Sequence, residues 1–537
     1  MPPAGVPSAE AGPAVAAGRW AVAAGVVSVA VGLVAGELAA ALVSPALSPM
    51  TGVGSAVIDA VPPAVKDWAV AVFGTADKLA LLLGMGLAIA ALAALAGRLE
   101  WRRRFAGFAV IAIFGVAGMV AVAGRAQSTG NAIVLPLLSA GTGVLVLRWL
   151  IARLRDGGPA YVSPAPGPSG DPAPAPAPLA GAGRRRFLQA LGGSAVVATL
   201  GGALAVALRG AAAGVSEFRS KLALPSPASP VPPVPAGAEL RLDGISPLVT
   251  PNRNFYRIDT ALTVPAVDPD SWVLKVTGMV ERDIELDFAT LLSKPMTERH
   301  ITIACVSNEV GGDLIGNALW LGWPVRELLA MAGPQGGADM VLSRSSDGWT
   351  AGTPLEALTD TRDALLAVGM NGEPLPLEHG FPVRLIVPGL YGYVSATKWL
   401  TELKVTRFAE DSGYWTPRGW SERGPIKTSS RIDVPRSGRP VRAGSVAFGG
   451  VAWAQHTGIG TVELRVNRGA WQPAELAPGI SRDTWYQWQL SLSLTPGQYE
   501  IQVRATDLNG VPQIEEPSRV APDGATGFHT IRVDVTP

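Results

Sequence analysis

The chain has 537 residues, enough for three or four domains. Only 16% are charged and 48% are hydrophobic, with a mean hydropathy of +0.28. This excludes a disordered polyelectrolyte and argues against an all-soluble protein. A net charge of +1 carries no basic excess for nucleic-acid binding. The single cysteine, Cys305, excludes a disulfide framework, a Cys-only zinc site, an iron–sulfur cluster and a c-type haem.

The charge is divided. Residues 1–220 hold 16 Lys and Arg against 9 Asp and Glu, leaving 28 against 34 for the remainder. The first part is a series of apolar runs: Trp20–Val43, Leu79–Ala96, Phe105–Ala123, Ile133–Ile151 and Phe187–Leu208. Each is near the ~20 residues that cross a bilayer core, and none shows the polar face of a soluble amphipathic helix. Glu37 stands out inside the first run. It reads as lying near a helix end, with a neighbouring helix as the alternative partner.

Basic residues set the orientation. Arg19, Arg98, Arg102–Arg104, Arg148, Arg153, Arg155 and Arg184–Arg186 flank alternate ends of the runs, and the opposite loops hold few basic residues, among them Lys66, Lys78 and Arg125. The positive-inside rule gives five spans, N-terminus in and C-terminus out. The protein is then a multi-pass cell-membrane protein with residues 221–537 on the extracytoplasmic side.

Residues 156–183, around Asp171, form a Pro/Ala linker that should be extended. Arg184-Arg185-Arg186-Phe187-Leu188 before an apolar run resembles a twin-arginine export signal. A second Pro-rich linker spans residues 211–239. All four histidines, His300, His379, His456 and His529, lie beyond the spans. A bis-histidine haem bundle is therefore not expected. The spans read as an anchor or as a docking surface for another membrane protein.

Beyond residue 240 the pattern changes. Trp272–Thr277, Ile301–Ala304, Met340–Ser343 and Val383–Val387 are strand-like; Phe288–Leu292 and Val325–Met331 are amphipathic helix candidates. The mixture is α+β without regular βαβ alternation. After about Pro440 the chain reads as all-β. Ser445–Trp453, Thr461–Val466, Tyr486–Leu492, Gln498–Ala505 and His529–Val535 are separated by turns such as Asn509-Gly510. This spacing suggests an immunoglobulin-like sandwich, with Trp453, Trp485 and Trp488 as core or interface residues.

Cys305 leaves a strand into the loop Val306-Ser-Asn-Glu-Val-Gly-Gly312. There it should be exposed and mobile, and a thiolate is a soft ligand for a transition metal. One cysteine suffices if a cofactor supplies the other sulfur ligands.

Several segments together resemble the sulfite oxidase family of molybdopterin oxidoreductases. They are Cys305 with Gly316-Asn-Ala-Leu-Trp320, Met370-Asn-Gly-Glu-Pro-Leu-Pro376, His379-Gly-Phe-Pro-Val-Arg384 and Lys398-Trp399. Thr250-Pro-Asn-Arg-Asn254-Phe-Tyr256-Arg257 resembles that family's entry segment. Gly450-Val-Ala-Trp453, Val503-Arg-Ala-Thr-Asp507 and Gly510-Val-Pro-Gln513 resemble its immunoglobulin-like dimerisation domain. The resemblance covers roughly residues 240–537.

It implies molybdenum held by a pterin dithiolene and the Cys305 thiolate. His379, Arg384, Asn254, Tyr256, Arg257, Ser345, Asp347, Ala396 and Lys398 fall on cofactor-contacting positions, and Tyr414 on that of an active-site tyrosine. One feature departs from the family. Where sulfite oxidases carry an anion-binding arginine after the metal cysteine, this chain has Glu309 and Val310. An acidic residue there opposes sulfite binding.

The expected architecture is multi-domain: a four-span region to residue 155, the linker, and a fifth span over 184–210. After the second linker come an α+β molybdopterin domain over 240–410 and an immunoglobulin-like sandwich over 411–537. The implied activity is oxygen-atom and two-electron transfer to or from a small substrate, with sulfur compounds the class suggested. The cofactor is molybdenum-molybdopterin, without haem or iron–sulfur cluster. The partners are the lipid bilayer, an external or membrane-bound electron carrier and, if the sandwich dimerises, a second copy. Sulfoxide reduction and a non-catalytic binding protein are the competing functions.

Overall fold

The structure, a computed structural model, describes residues 13–43, 48–61, 65, 72, 77–123, 133–156, 180–208, 211–261 and 263–537. Most of the Pro/Ala linker, with Asp171, lies outside them, as do Lys66 and Arg125. The chain forms two compact units that divide between Ala211 and Ala212, with Ala261 and Thr263 grouped with the first.

The first unit is helical: α1 (Pro13–Val43), α2 (Pro49–Ala60), α3 (Asp77–Arg102), α4 (Ala106–Ala123), α5 (Val134–Asp156) and α6 (Ala180–Leu208). All but α2 are long and apolar enough to cross a membrane. Their outward faces are apolar, with Leu87, Ile113, Val120, Leu145 and Leu200 exposed. The central helix is α1, which packs against α3, α5 and α6. Small residues permit this. A Cβ on Gly97 would strike the Ala21 carbonyl and the Gly25 backbone, and one on Gly32 the Ser139 carbonyl. Gly143 faces the same groove, whereas Gly141 has open space around it.

Glu37 lies six residues from the end of α1, and it is buried rather than end-exposed. Its carboxylate accepts from the Ser48 hydroxyl (2.8 and 2.9 Å) and the Met50 amide (3.0 Å) at the start of α2. Glu100 does the same for α4, accepting from the amides of Phe105 and Gly107. An acid at a helix start satisfies amides that have no partner within the helix, and the helix dipole favours its position there.

The second unit begins with helix α7 (Ala211–Lys221), inside the stretch read as linker. Its Val215 and Phe218 enter the apolar core, and Arg219 donates to the carbonyls of Pro374 and Leu375. Short-range composition hid this helix, because its stability comes from that docking. The proline-rich stretch after it is also tied down, with the Ala228 amide donating to Met296 O and the Glu298 amide to Ser229 O.

Two sheets build the α+β body. One has the order β2-β1-β10-β5-β6 (Ile284–Asp287, Val273–Gly278, Leu400–Thr406, Met340–Ser345, Thr350–Pro354). The other has β3-β4-β7-β8 (Thr297–Ala304, Ile315–Pro324, Leu365–Met370, Glu373–Pro374), with β9 (Arg384–Ile386) beside β7. Phe288–Leu292 and Val325–Ala332 are helices, as their periodicity predicts. β7 is buried at every position and shows no alternation to read.

The remaining strands form two further sheets. β11-β13-β17-β16 (Ser429–Val434, Gly444–Trp453, Tyr486–Leu494, Glu475–Leu476) faces β12-β19-β18-β14-β15 (Val441–Arg442, His529–Thr536, Gly497–Asp507, Ile459–Val466, Gln472–Pro473). Phe448, Trp488, Leu464, Val503 and Val533 fill the core between them. On β13, Val446, Phe448 and Ala452 face this core, while Val451 and Trp453 join the core of the α+β body with Trp485. One sheet is thus buried on both faces and welds the two layers together.

Candidate active site

A cleft enclosing about 910 Å³ of empty space, part of it open to solvent, opens where strand ends of the α+β body converge. Cys305 enters it from the end of β3. Its amide donates to Leu314 O (2.9 Å) and its carbonyl accepts from the Asn308 amide (3.1 Å). The Asn308 carboxamide accepts from the Leu314 amide (2.8 Å). Gly311, at φ +81°, completes the turn; a Cβ there would strike the His529 ring. These bonds pin the loop, so Cys305 is half-buried rather than exposed as its sequence context suggested. Burial pushes its thiol up, and hydrogen bonds from Ser307 oppose this.

Ser345, at the end of β5, and Asp347 in the following turn line the same cleft. The Asp347 carboxylate accepts from the Trp349 amide (3.1 Å). Asn371, in the left-handed region at φ +52°, ties the entry segment to the body. It donates to Thr250 O and Asn252 Oδ1 and accepts from the Leu319 amide. Tyr256 and His379 line the cleft from either side of Phe255, whose ring stacks on Tyr256 and meets His379 edge-on.

His379 Nε2 lies 3.1 Å from Asn252 O, so that nitrogen donates. Burial and the nearby Arg384 hold its pKa down to about 4. Burial, with Cys305 beside it, raises that of the Tyr256 phenol. Tyr256 therefore stays a neutral donor.

Three cations gather at this end. Arg384 is 4% exposed and lies over the Trp320 ring at 5.1 Å. Its Nη1 donates to His379 O (3.1 Å), but its buried Nε has no partner among the described residues. Burial lowers its pKa to about 10. Lys398 Nζ donates to Asp259 (2.7 Å) and Glu378 O (3.1 Å). Burial pulls it down to about 8 although Asp259 opposes the shift. Arg257 does not line the cleft, but its Nε donates to the same carboxylate (2.8 Å). Trp399, next to Lys398, adopts φ +50°. That conformation is a genuine outlier for a bulky residue, held here by its indole donating to Leu377 O.

The structure brings Tyr256, Cys305, Ser345, Asp347, His379, Arg384, Ala396 and Lys398 onto one cleft. It leaves Asn254 exposed and outside the lining. Tyr414 is also outside, its ring edge-on to Trp415 (5.0 Å) and 3.8 Å beneath the Arg418 guanidinium. Its neighbours Trp415 and Trp420, with Tyr393 and Trp349, line the cleft instead. Sequence reading missed these aromatics and Asp259. The only local signal for Asp259 was a carboxylate two residues after Arg257. Glu309 is exposed and does not line the cleft.

A half-buried thiol suits a soft metal, and a buried guanidinium nitrogen without a partner suits a phosphate. The sequence comparisons agree with that donor set. A family described as oxidoreductase molybdopterin binding domain matches residues 261–415. Chicken sulfite oxidase (Gallus gallus) is 30% identical over 328 residues, 51% of this chain and 69% of that protein. The chain belongs to the sulfite oxidase family.

Human mitochondrial sulfite oxidase is 29% identical over 347 residues, 54% of this chain. The match spans 62% of the human protein's length. Among solved structures, the sulfane dehydrogenase SoxCD from Paracoccus pantotrophus is 23% identical. It covers 54% of this chain and 81% of that one, with a TM-score of 0.47. Outside the matched residues 261–415, the chain carries five helices long and apolar enough to cross a membrane.

Proposed function

We propose that this protein is a membrane-anchored molybdenum-molybdopterin oxidoreductase. It would transfer an oxygen atom and two electrons to or from a small substrate. The observation that carries this reading is one cleft holding the chain's single thiol and a buried arginine whose Nε has no partner among the described residues. When bound, the cofactor would supply the two-electron chemistry. Cys305 would provide the metal's protein thiolate. Arg384, Lys398 and Arg257 would hold the phosphate, and the neutral Tyr256 and His379 would contact the pterin.

The rest of the lining points to the substrate. Apart from Arg384 and Lys398, assigned to the phosphate, the cleft lining holds no arginine or lysine; Ser307, Asp347, Trp349, Tyr393, Trp415 and Trp420 share it with Cys305. Such a surface favours a neutral substrate of sulfoxide type over sulfite, whose charge would meet Asp347. Electrons would leave to an external or membrane-bound carrier. The five helices would anchor the chain, with the cleft on the extracytoplasmic side.

Metal analysis tests the reading. Protein purified from a molybdenum-replete host should contain about one molybdenum per chain. Cys305→Ala should lower turnover about 100-fold or more, because even indirect supports of a metal site cost 10–100-fold. A metal-free wild-type protein, or full turnover without Cys305, would reject it.

A further inference from the structure

Asp259 has no obvious place in an anion-binding site. Its side chain is 4% exposed, and Oδ2 accepts from both Lys398 Nζ (2.7 Å) and Arg257 Nε (2.8 Å). Arg384 adds a third cation to this end of the cleft. Lys398 and Arg257 share that carboxylate while Arg384 donates to backbone carbonyls, so the three cations exceed it by two charges, an excess that matches a dianion. A buried cation without a counter-charge is costly, so Lys398 relies on Asp259 to stay ordered until another anion takes its place, and the same carboxylate holds the partly exposed Arg257 beside it. The same carboxylate repels any phosphate that approaches them.

We propose that Asp259 is a resident counter-ion that positions Lys398 and Arg257 and competes for them with the cofactor's phosphate, so that it sets how tightly the chain holds that anion. The inference rests on the cofactor reading above. In the bound state Lys398 would turn from Asp259 to the phosphate, and Arg257 would be shared between the carboxylate and the phosphate. Asp259 is thus a positioning residue, weakening the anion's grip while keeping the cofactor-free chain folded.

The test uses the full-length chain purified from a host unable to make molybdopterin, with inorganic sulfate as the probe. Sulfate is a dianion at pH 6.5, where Lys398 is charged. Calorimetric titration should show Asp259→Asn binding sulfate about fivefold or more tightly than wild type, with a lower thermal midpoint. Lys398→Met should lose most of the signal, which assigns the sulfate to this end of the cleft. Equal or weaker sulfate binding by a folded Asp259→Asn protein would overturn the proposal.

If that variant does not fold, Asp259→Asn combined with Arg257→Gln removes charge and counter-charge together. It must then bind sulfate more tightly than Arg257→Gln alone, and equal binding would again overturn the proposal. Wild-type protein that carries molybdenum while Asp259→Asn gains nothing rejects only this inference. Wild-type protein without molybdenum rejects the cofactor reading itself.

Discussion

His529 shows how a single buried group couples the β-sheets to pH. Its Nδ1 accepts from the Ile432 amide (2.9 Å), which requires that nitrogen to be unprotonated. Burial and the adjacent Arg431 hold its pKa down to about 4, against the partial opposition of Asp433. The unfolded chain takes up this proton near pH 6.5, so stability is lost as pH falls from about 6.5 towards 4. The expected loss from this residue is about 2–3 kcal/mol by pH 4.5. His529→Gln keeps an acceptor for Ile432 but does not titrate. Its thermal midpoint should fall less than that of wild type between pH 7.5 and 4.5. An identical fall in both proteins would assign the acid sensitivity elsewhere. Cys305 shows the opposite limit of reading one residue. Its place after a strand was visible, but its half-burial depends on bonds to Leu314 and Asn308 that only the folded loop supplies.

The strands and helices with a clear period were legible within a residue or two. Val325–Ala332 and His529–Thr536 are examples, with an apolar face repeating at helical and strand spacing respectively. Leu365–Met370 and Ile315–Pro324 were not identified as strands, since they are almost wholly buried and their residues do not alternate. In the helical unit, composition alone does not say which glycines lie at helix contacts. Gly97 lies against the backbone of α1, whereas Gly141 meets nothing within 4 Å. Gly97→Leu should therefore lower stability by about 1–3 kcal/mol or more, seen as a reduced thermal midpoint in detergent. Gly141→Leu should be close to neutral. Equal effects at both sites would remove the close approach of α1 and α3 as the cause.

At the scale of the whole chain, the first unit places its basic residues together. Arg155 donates to Glu100 O (2.6 Å), joining the end of α5 to the corner between α3 and α4, where Arg102–Arg104 lie. Trp20 meets Phe187 at 6.0 Å, bringing Arg19 and Arg185–Arg186 to that same end. The Glu37–Ser48 contact lies towards the other end of α1. Under the positive-inside rule this end would face the cytoplasm. A reporter enzyme fused after residue 537 should be active only outside the cytoplasm, and activity inside would overturn the five-span orientation.

The sequence by itself determined the family, the apolar helices and the thiol, because each depends on residue identity at short or ordered spacing. The tertiary structure decided what those residues meet. It moved Tyr414 out of the cleft and brought Trp349, Tyr393 and Trp420 into it. It buried both faces of β13, so that Trp453 and Trp485 belong to the α+β core and Trp488 to the sheet pair. It also put Asp259 between Lys398 and Arg257, across 139 residues of chain. Charge pairs and double-sided burial join residues far apart in sequence, and local periodicity holds no record of them.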